Sequence, residues 1–143
     1  MGGWVDLDIN QGDDIMNLNK LFMVNIGVAG LFGLGFVFAP EAMLAPYGMS
    51  AETISASVIM SRLLGASNIG YAILFWFIMN APASETKIEV AKAVSIAFVV
   101  SCLVSIAVQM SGEIGPLGWS TVALYAIFAA AYGYFGFVKG AED

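Results

Sequence analysis

The chain has 143 residues, 59% of them hydrophobic and 11% charged, with a net charge of −6 and a mean hydropathy of +0.85. Soluble globular domains hold about a quarter of their residues as charges, so sixteen charged side chains are too few to cover a water-facing surface of this size. The apolar excess also excludes a disordered chain, the acidic balance would repel nucleic acid, and an all-α integral membrane protein is the class that remains.

Residues 1–20 form an acidic segment. Asp6, Asp8, Asp13 and Asp14 come before the first lysine, Lys20, where a secretory signal would need positive charge. Asp6 also stands where an N-myristoylation pattern requires Ser or Thr. Asp6, Asp8 and Asn10 open like a calcium loop, but Gln11 occupies its glycine position and Asn17 its closing glutamate. The segment reads as a solvated cytoplasmic stretch in which Trp4, Leu7 and Ile9 touch the interface or a partner.

Four spans are predicted in a single domain over 21–138, because a helix needs about 20 apolar residues to cross a hydrocarbon core about 30 Å thick. The first, 21–39, lies between Lys20 and Pro40. A loop with Met43, Leu44, Tyr47 and Met49 then runs along the outer interface. The second span, 56–79, holds the apolar run 63–79 and ends in the short turn Ala81, Pro82, Ala83, Ser84. Thr86 with Glu89 fits a capping box ahead of the third span, 90–110. Gly112, Gly115 and Pro116 break the chain before the fourth, 116–138, with Pro116 suited to its first turn. Residues 139–143 form a C-terminal tail. Connections this short favour antiparallel neighbours, so the expected fold is an up-down-up-down four-helix bundle.

The lysines set the expected orientation. Lys20, Lys87, Lys92 and Lys139 all fall on one side of a four-span chain, and the other two loops hold no lysine or arginine. By the positive-inside rule both termini face the cytoplasm, in a bacterial inner membrane or an organellar one.

Helices in lipid associate through close packing, which small residues permit. Ala29 and Gly33 offer such a face in the first span, Ser61 with Gly65 and Ala66 with Gly70 in the second, Ala97, Ser101 and Ser105 in the third, and Ala126 with Ala130 and Ala129 with Gly133 in the fourth. Tyr71, Phe75, Trp76 and Phe77, and then Tyr132, Tyr134, Phe135 and Phe137, read as an interfacial aromatic belt, with Trp119 at the outer end; a pigment- or quinone-binding cluster is the alternative.

Arg62 is the one intramembrane ionisable candidate. The 17 residues that follow it nearly span the core, at about 1.5 Å each, so it lies near the outer boundary. It is either an interfacial anchor or a binder of a lipid phosphate, an anionic substrate or an acidic residue such as Glu41 or Glu113. Asn25 sits one turn inside the first span, Asn68 beside Ser67 near the middle of the second, and Gln109 near the outer end of the third. Such side chains either join helices, at about 0.6 kcal/mol per bond, or contact a ligand. Cys102, the only cysteine, reads as inert packing.

The absences narrow the chemistry. With no histidine and one cysteine, this chain alone cannot build haem, zinc or iron–sulfur ligation, so no metal or cofactor is expected. No carboxylate lies mid-span, and the first span lacks the glutamate on which small multidrug transporters rely, offering only Asn25. No Walker A or G-x-S-x-G pattern is present, so no catalytic residue and no enzyme activity are expected.

Ala39, Pro40 and Glu41, followed by Tyr47 and Gly48, close the first span with a Pro-containing loop. Arg62, Leu63, Leu64 and Gly65, then Gly70, place an arginine and glycines in the second. In this layout residues 21–80 resemble small four-helix membrane proteins of the DoxX-like kind. The resemblance implies a membrane bundle that in some members serves an oxidoreductase assembly; without histidine or a cysteine pair, no redox role carries over to any residue here.

Two functional expectations follow. One is a non-catalytic accessory or structural subunit that packs, through its small-residue faces, into a larger membrane complex or against itself. The other is a small transporter or a binder of lipid or another hydrophobic ligand that uses Arg62, Ser67 and Asn68, with Asn25 as a further contact. That second expectation requires a cavity joining these residues between the helices.

Overall fold

The computed structural model describes residues 4–82 and 84–139, with the side chains of 12–82 and 85–139, and no strand occurs among them. Helix α1 runs over Trp4–Phe38, so residues 4–20 of the acidic segment are helical and continuous with the first span. Proline at the first position starts α2, Pro40–Leu44, because its missing N–H would be unpaired there anyway. A 3-10 turn, Ala45–Tyr47, follows and stops at Gly48, whose φ of 72° is left-handed.

Ser50 then caps α3, Ala51–Met79, by accepting the Thr53 N–H at 3.2 Å. That cap starts the helix at Ala51, earlier than the predicted 56. Helix α4 covers Ser84–Met110, which places Thr86 inside the first turn rather than at a cap, and Glu89 pairs instead with Lys92 at 2.7 Å. Helix α5, Gly118–Gly133, widens into a π-type turn over Tyr134–Val138.

Four of these helices are long and apolar enough to cross a membrane: Gly12–Phe38, Ala51–Met79, Glu85–Met110 and Gly118–Val138. Large apolar side chains stand exposed on every one of them, including Leu31 at 72%, Phe77 at 70%, Leu103 at 62% and Ile127 at 65%. In water such a surface would drive association. Against hydrocarbon it carries no penalty.

The bundle is assembled from two pairs, α1 on α3 and α4 on α5. In the first pair Gly33 meets Gly65 so closely that a Cβ on Gly65 would lie 2.7 Å from the Gly33 carbonyl oxygen. In the second, the Ser95 hydroxyl donates to the Ala129 carbonyl at 2.9 Å, and a Cβ on Gly133 would lie 3.0 Å from Ser95 Oγ. Gly70 faces open space on the exposed side of α3, so the predicted Ala66/Gly70 packing face does not form.

The two pairs meet at the end that carries the α3–α4 turn, called here the core end. Leu18, Phe22, Phe75, Ala91, Phe128 and Tyr132 form one buried cluster there. Ring centroids lie 5.7 Å apart for Phe22–Phe75 and 5.5 Å for Phe22–Tyr132. Phe75 and Tyr132 thus belong to the interior rather than to the predicted interfacial belt, whereas Trp76, Phe77, Tyr134 and Phe137 are exposed. Lys87 is buried beside this cluster, donating to Asn19 Oδ1 at 3.1 Å and to the Met79 carbonyl at 2.8 Å. Lys139 reaches Asp14 at 3.4 Å at the same end.

At the opposite, α2 end the two loops are tied together. The Gly115 N–H donates to the Tyr47 carbonyl at 2.6 Å, and the Tyr47 hydroxyl lies 3.1 Å from that of Thr121. Helices α3 and α4, although joined by a short turn, make little contact beyond it. Closed at both ends and slack between them, the two pairs leave a cleft.

Candidate functional site

The cleft is a cavity of about 590 Å³ bordered by α1, α3, α4, α5 and the α2 loop. Pockets for small organic molecules fall between about 300 and 1,000 Å³ and are mostly apolar with a few placed polar groups. This one has that make-up. Aromatic rings of the core, Phe75, Phe98 and Phe128, close it at the core end, and Leu44, Tyr47 and Ile114 border it at the α2 end. No Asp, Glu, Lys or Arg lines it. Its walls include Leu64 and Tyr71 of α3 and Val104 of α4, all at least half exposed, so the open side lies between α3 and α4 and faces the surrounding medium.

The polar groups rise through the cavity in levels. Deepest is Asn25, only 3% exposed, whose amide N–H donates to the Tyr132 hydroxyl at 3.1 Å. An asparagine amide offers two donor hydrogens and two acceptor lone pairs, so most of this group's capacity is unused. Higher up, Asn68 of α3 and the Tyr125 hydroxyl of α5 line the cavity without a hydrogen bond from any described residue. Ser105 of α4, equally unbonded, stands nearer the α2 end. There Gln109 donates to the Ile114 and Gly115 carbonyls at 3.1 and 3.2 Å. Its Oε1 is buried without a partner and occupies the space that a Cβ on Gly118 would need.

The residues predicted to act together are divided by the helix faces. Asn68 and Asn25 border the cavity. Arg62 and Ser67 do not: both are exposed on α3, and the Ser67 hydroxyl bonds back to the Leu63 carbonyl at 3.0 Å. Arg62 lies about one helical turn beyond Gly65, which meets Val37, so it is level with the end of α1 and free of any partner among the described residues. Of the predicted packing positions, Gly33, Gly65, Ala129 and Gly133 form helix crossings. Ala29, Ala97 and Ser101 instead line the cavity, and Gly70 does neither.

Tyr125 and Ser105 were not predicted as site residues. One signal was present for Tyr125: it shares a helix face with Phe128 and Tyr132, three and seven residues on, and both of those are core. Cys102 is half-buried, its thiol 3.7 Å from the Val122 carbonyl. Among the described residues no group of three Cys, Asp or Glu side chains is placed to hold a metal ion.

No family model matches this chain, and no curated protein or solved structure shows significant similarity to it.

Proposed function

We propose that this chain is an integral membrane protein that crosses the bilayer four times, up-down-up-down, with both ends on the cytoplasmic side, and binds a membrane-dissolved molecule without transforming it. The observation that carries the binding reading is the charge-free, mainly apolar cavity of about 590 Å³ with its open side between α3 and α4. A molecule already in the bilayer can enter there without passing through water. The orientation draws on Lys87, Lys139 and their partners Asn19 and Asp14, which gather at the core end.

Ala97, a small residue in the cavity wall on α4, supplies the test. An Ala97→Phe protein should accumulate normally but lose the molecule that copurifies with the wild type in mild detergent, as read by mass spectrometry of the extract. Retention of that molecule would remove the binding reading. For the orientation, Cys102→Ala protein carrying Asp14→Cys should resist a membrane-impermeant thiol reagent applied to intact cells, and Glu113→Cys should react.

A structural-subunit reading has one observation in its favour. Ala97 and Ser101 present small side chains beside the gap, where another helix could approach closely. Under that reading Ala97→Phe dissociates a stoichiometric protein partner or a second copy, visible by size in native gels.

A further inference from the structure

The hydrogen-bonding groups in the cavity identify the chemical class of its occupant, and this inference rests on the binding reading above. Buried polar groups normally find a partner, and in hydrocarbon an unpaired one is costly. Asn25, Asn68 and Tyr125 come from three different helices, border one cavity, and together leave most of their donors and acceptors unused. Asn25 does so while 97% buried, since its exposure is 3%.

Their level in the bundle is informative. Phe75 and Tyr132 stand side by side at 6.4 Å, so Asn68 and Tyr125, each seven residues nearer the α2 end on parallel-running helices, are level with one another. Asn68 is near the middle of α3, Ala51–Met79. The polar groups therefore sit at depth rather than at the rim. An ordinary phospholipid would place only acyl chain at this level, leaving Asn68 and Tyr125 unpaired and Asn25 with its single bond to Tyr132. Its charged head would also find no counter-charge, because no Asp, Glu, Lys or Arg lines the cavity.

We infer that the cavity takes an uncharged amphiphile carrying a hydroxyl or carbonyl at mid-membrane depth, hydrogen-bonded by Asn68 and Tyr125 with the Asn25 amide below them. The hydrocarbon of such a molecule lies against Phe32, Leu64 and Leu124.

Native mass spectrometry of the protein released from maltoside micelles tests this with three probes of similar chain length: oleyl alcohol, 1-octadecene and palmitoyl-oleoyl phosphatidylcholine. One oleyl alcohol per chain is expected, bound at least tenfold more tightly than 1-octadecene. Asn68→Leu and Tyr125→Phe should each weaken the alcohol about tenfold, the loss of one good hydrogen bond, and leave octadecene unchanged. Tyr125→Phe removes a single oxygen, so it separates hydrogen bonding from any packing defect in Asn68→Leu. Equal binding of alcohol and hydrocarbon, insensitive to both variants, would overturn the ligand class and leave the binding reading intact. Preferential phosphatidylcholine binding would do the same. Failure of all three probes to bind, with Ala97→Phe releasing a second protein, would overturn the binding reading and this inference with it.

Discussion

Gly65→Leu should abolish the pairing of α1 with α3, and even Gly65→Ala should cost about 1–3 kcal/mol, the usual penalty of overpacking. A Cβ at this position would lie 2.7 Å from the Gly33 carbonyl oxygen, 2.8 Å from the Val37 amide nitrogen and 2.9 Å from Phe36 Cβ. None of these is the far end of a flexible side chain. The added atom can be accommodated only by moving one helix away from the other. Gly33 is equally confined, since its Cβ would lie 3.0 Å from both the Gly65 carbonyl oxygen and the Ile69 amide nitrogen.

In lipid the consequence is larger than the steric cost. Helices there associate through contact rather than through a hydrophobic drive, so separating them by the width of a leucine removes the term that joins them. Gly70→Ala on the same helix is the control. Nothing lies within 4 Å of its Cβ position, so the substitution should be neutral or stabilise by up to about 1 kcal/mol through helix propensity. Unfolding midpoints in mixed micelles with increasing dodecyl sulfate should rank Gly70→Ala at or above wild type, then Gly65→Ala, with no folded Gly65→Leu recovered.

The contrast between these two glycines marks where the sequence is legible. Four long apolar runs and the Pro and Gly residues between them are one-dimensional signals, and the helices follow them. Which face of a helix is covered depends on its neighbours. On α3 the buried positions Ser61, Gly65, Ala72 and Phe75 form one stripe, and Gly70 lies about 140° around the helix from Gly65, at about 100° per residue. Both glycines satisfy a small-residue pattern, but only one lies on the covered stripe. Phe75 and Trp76 illustrate the same point: adjacent aromatics suit an interfacial belt equally well, yet one is 5% exposed and the other 56%.

The cavity was less legible still. Asn68 could be picked out as a polar residue in mid-span, and Asn25 as one a turn inside the first. Their meeting with Tyr125 depends on how far α3 and α4 diverge from their short turn. That angle is set by contacts at the two ends, Lys87 with Met79 and Tyr47 with Gly115, which join residues of different helices and loops. No local pattern encodes it. Arg62 attracted a functional reading because it is charged, but charge alone does not bring a side chain into a cavity that lies on another face of its helix.

Lys87→Met should destabilise the bundle by about 2–4 kcal/mol, far more than any other lysine substitution. The side-chain volume is nearly conserved, so the effect isolates the ammonium group. Lys87 is 5% exposed and its Nζ donates to Asn19 Oδ1 of α1 and to the Met79 carbonyl, the last residue of α3. Final-turn carbonyls of a helix have no partner within it, and they gather the negative end of its dipole. A cation there satisfies both needs. Hydrogen bonds to charged groups are worth about 1.5–3 kcal/mol, and the dipole interaction adds about 0.3–1 kcal/mol. Because one ammonium on the first turn of α4 ties Asn19 of α1 to the last residue of α3, its removal also loosens the end at which the two helix pairs meet. Lys92→Met supplies the comparison: its pairing with Glu89 lies on the exposed surface of α4, where ion pairs contribute about 0–1 kcal/mol. Thermal unfolding in detergent should therefore separate the two variants clearly. Equal melting temperatures for Lys87→Met and Lys92→Met would show that the lysine at the α3–α4 turn bears no structural load.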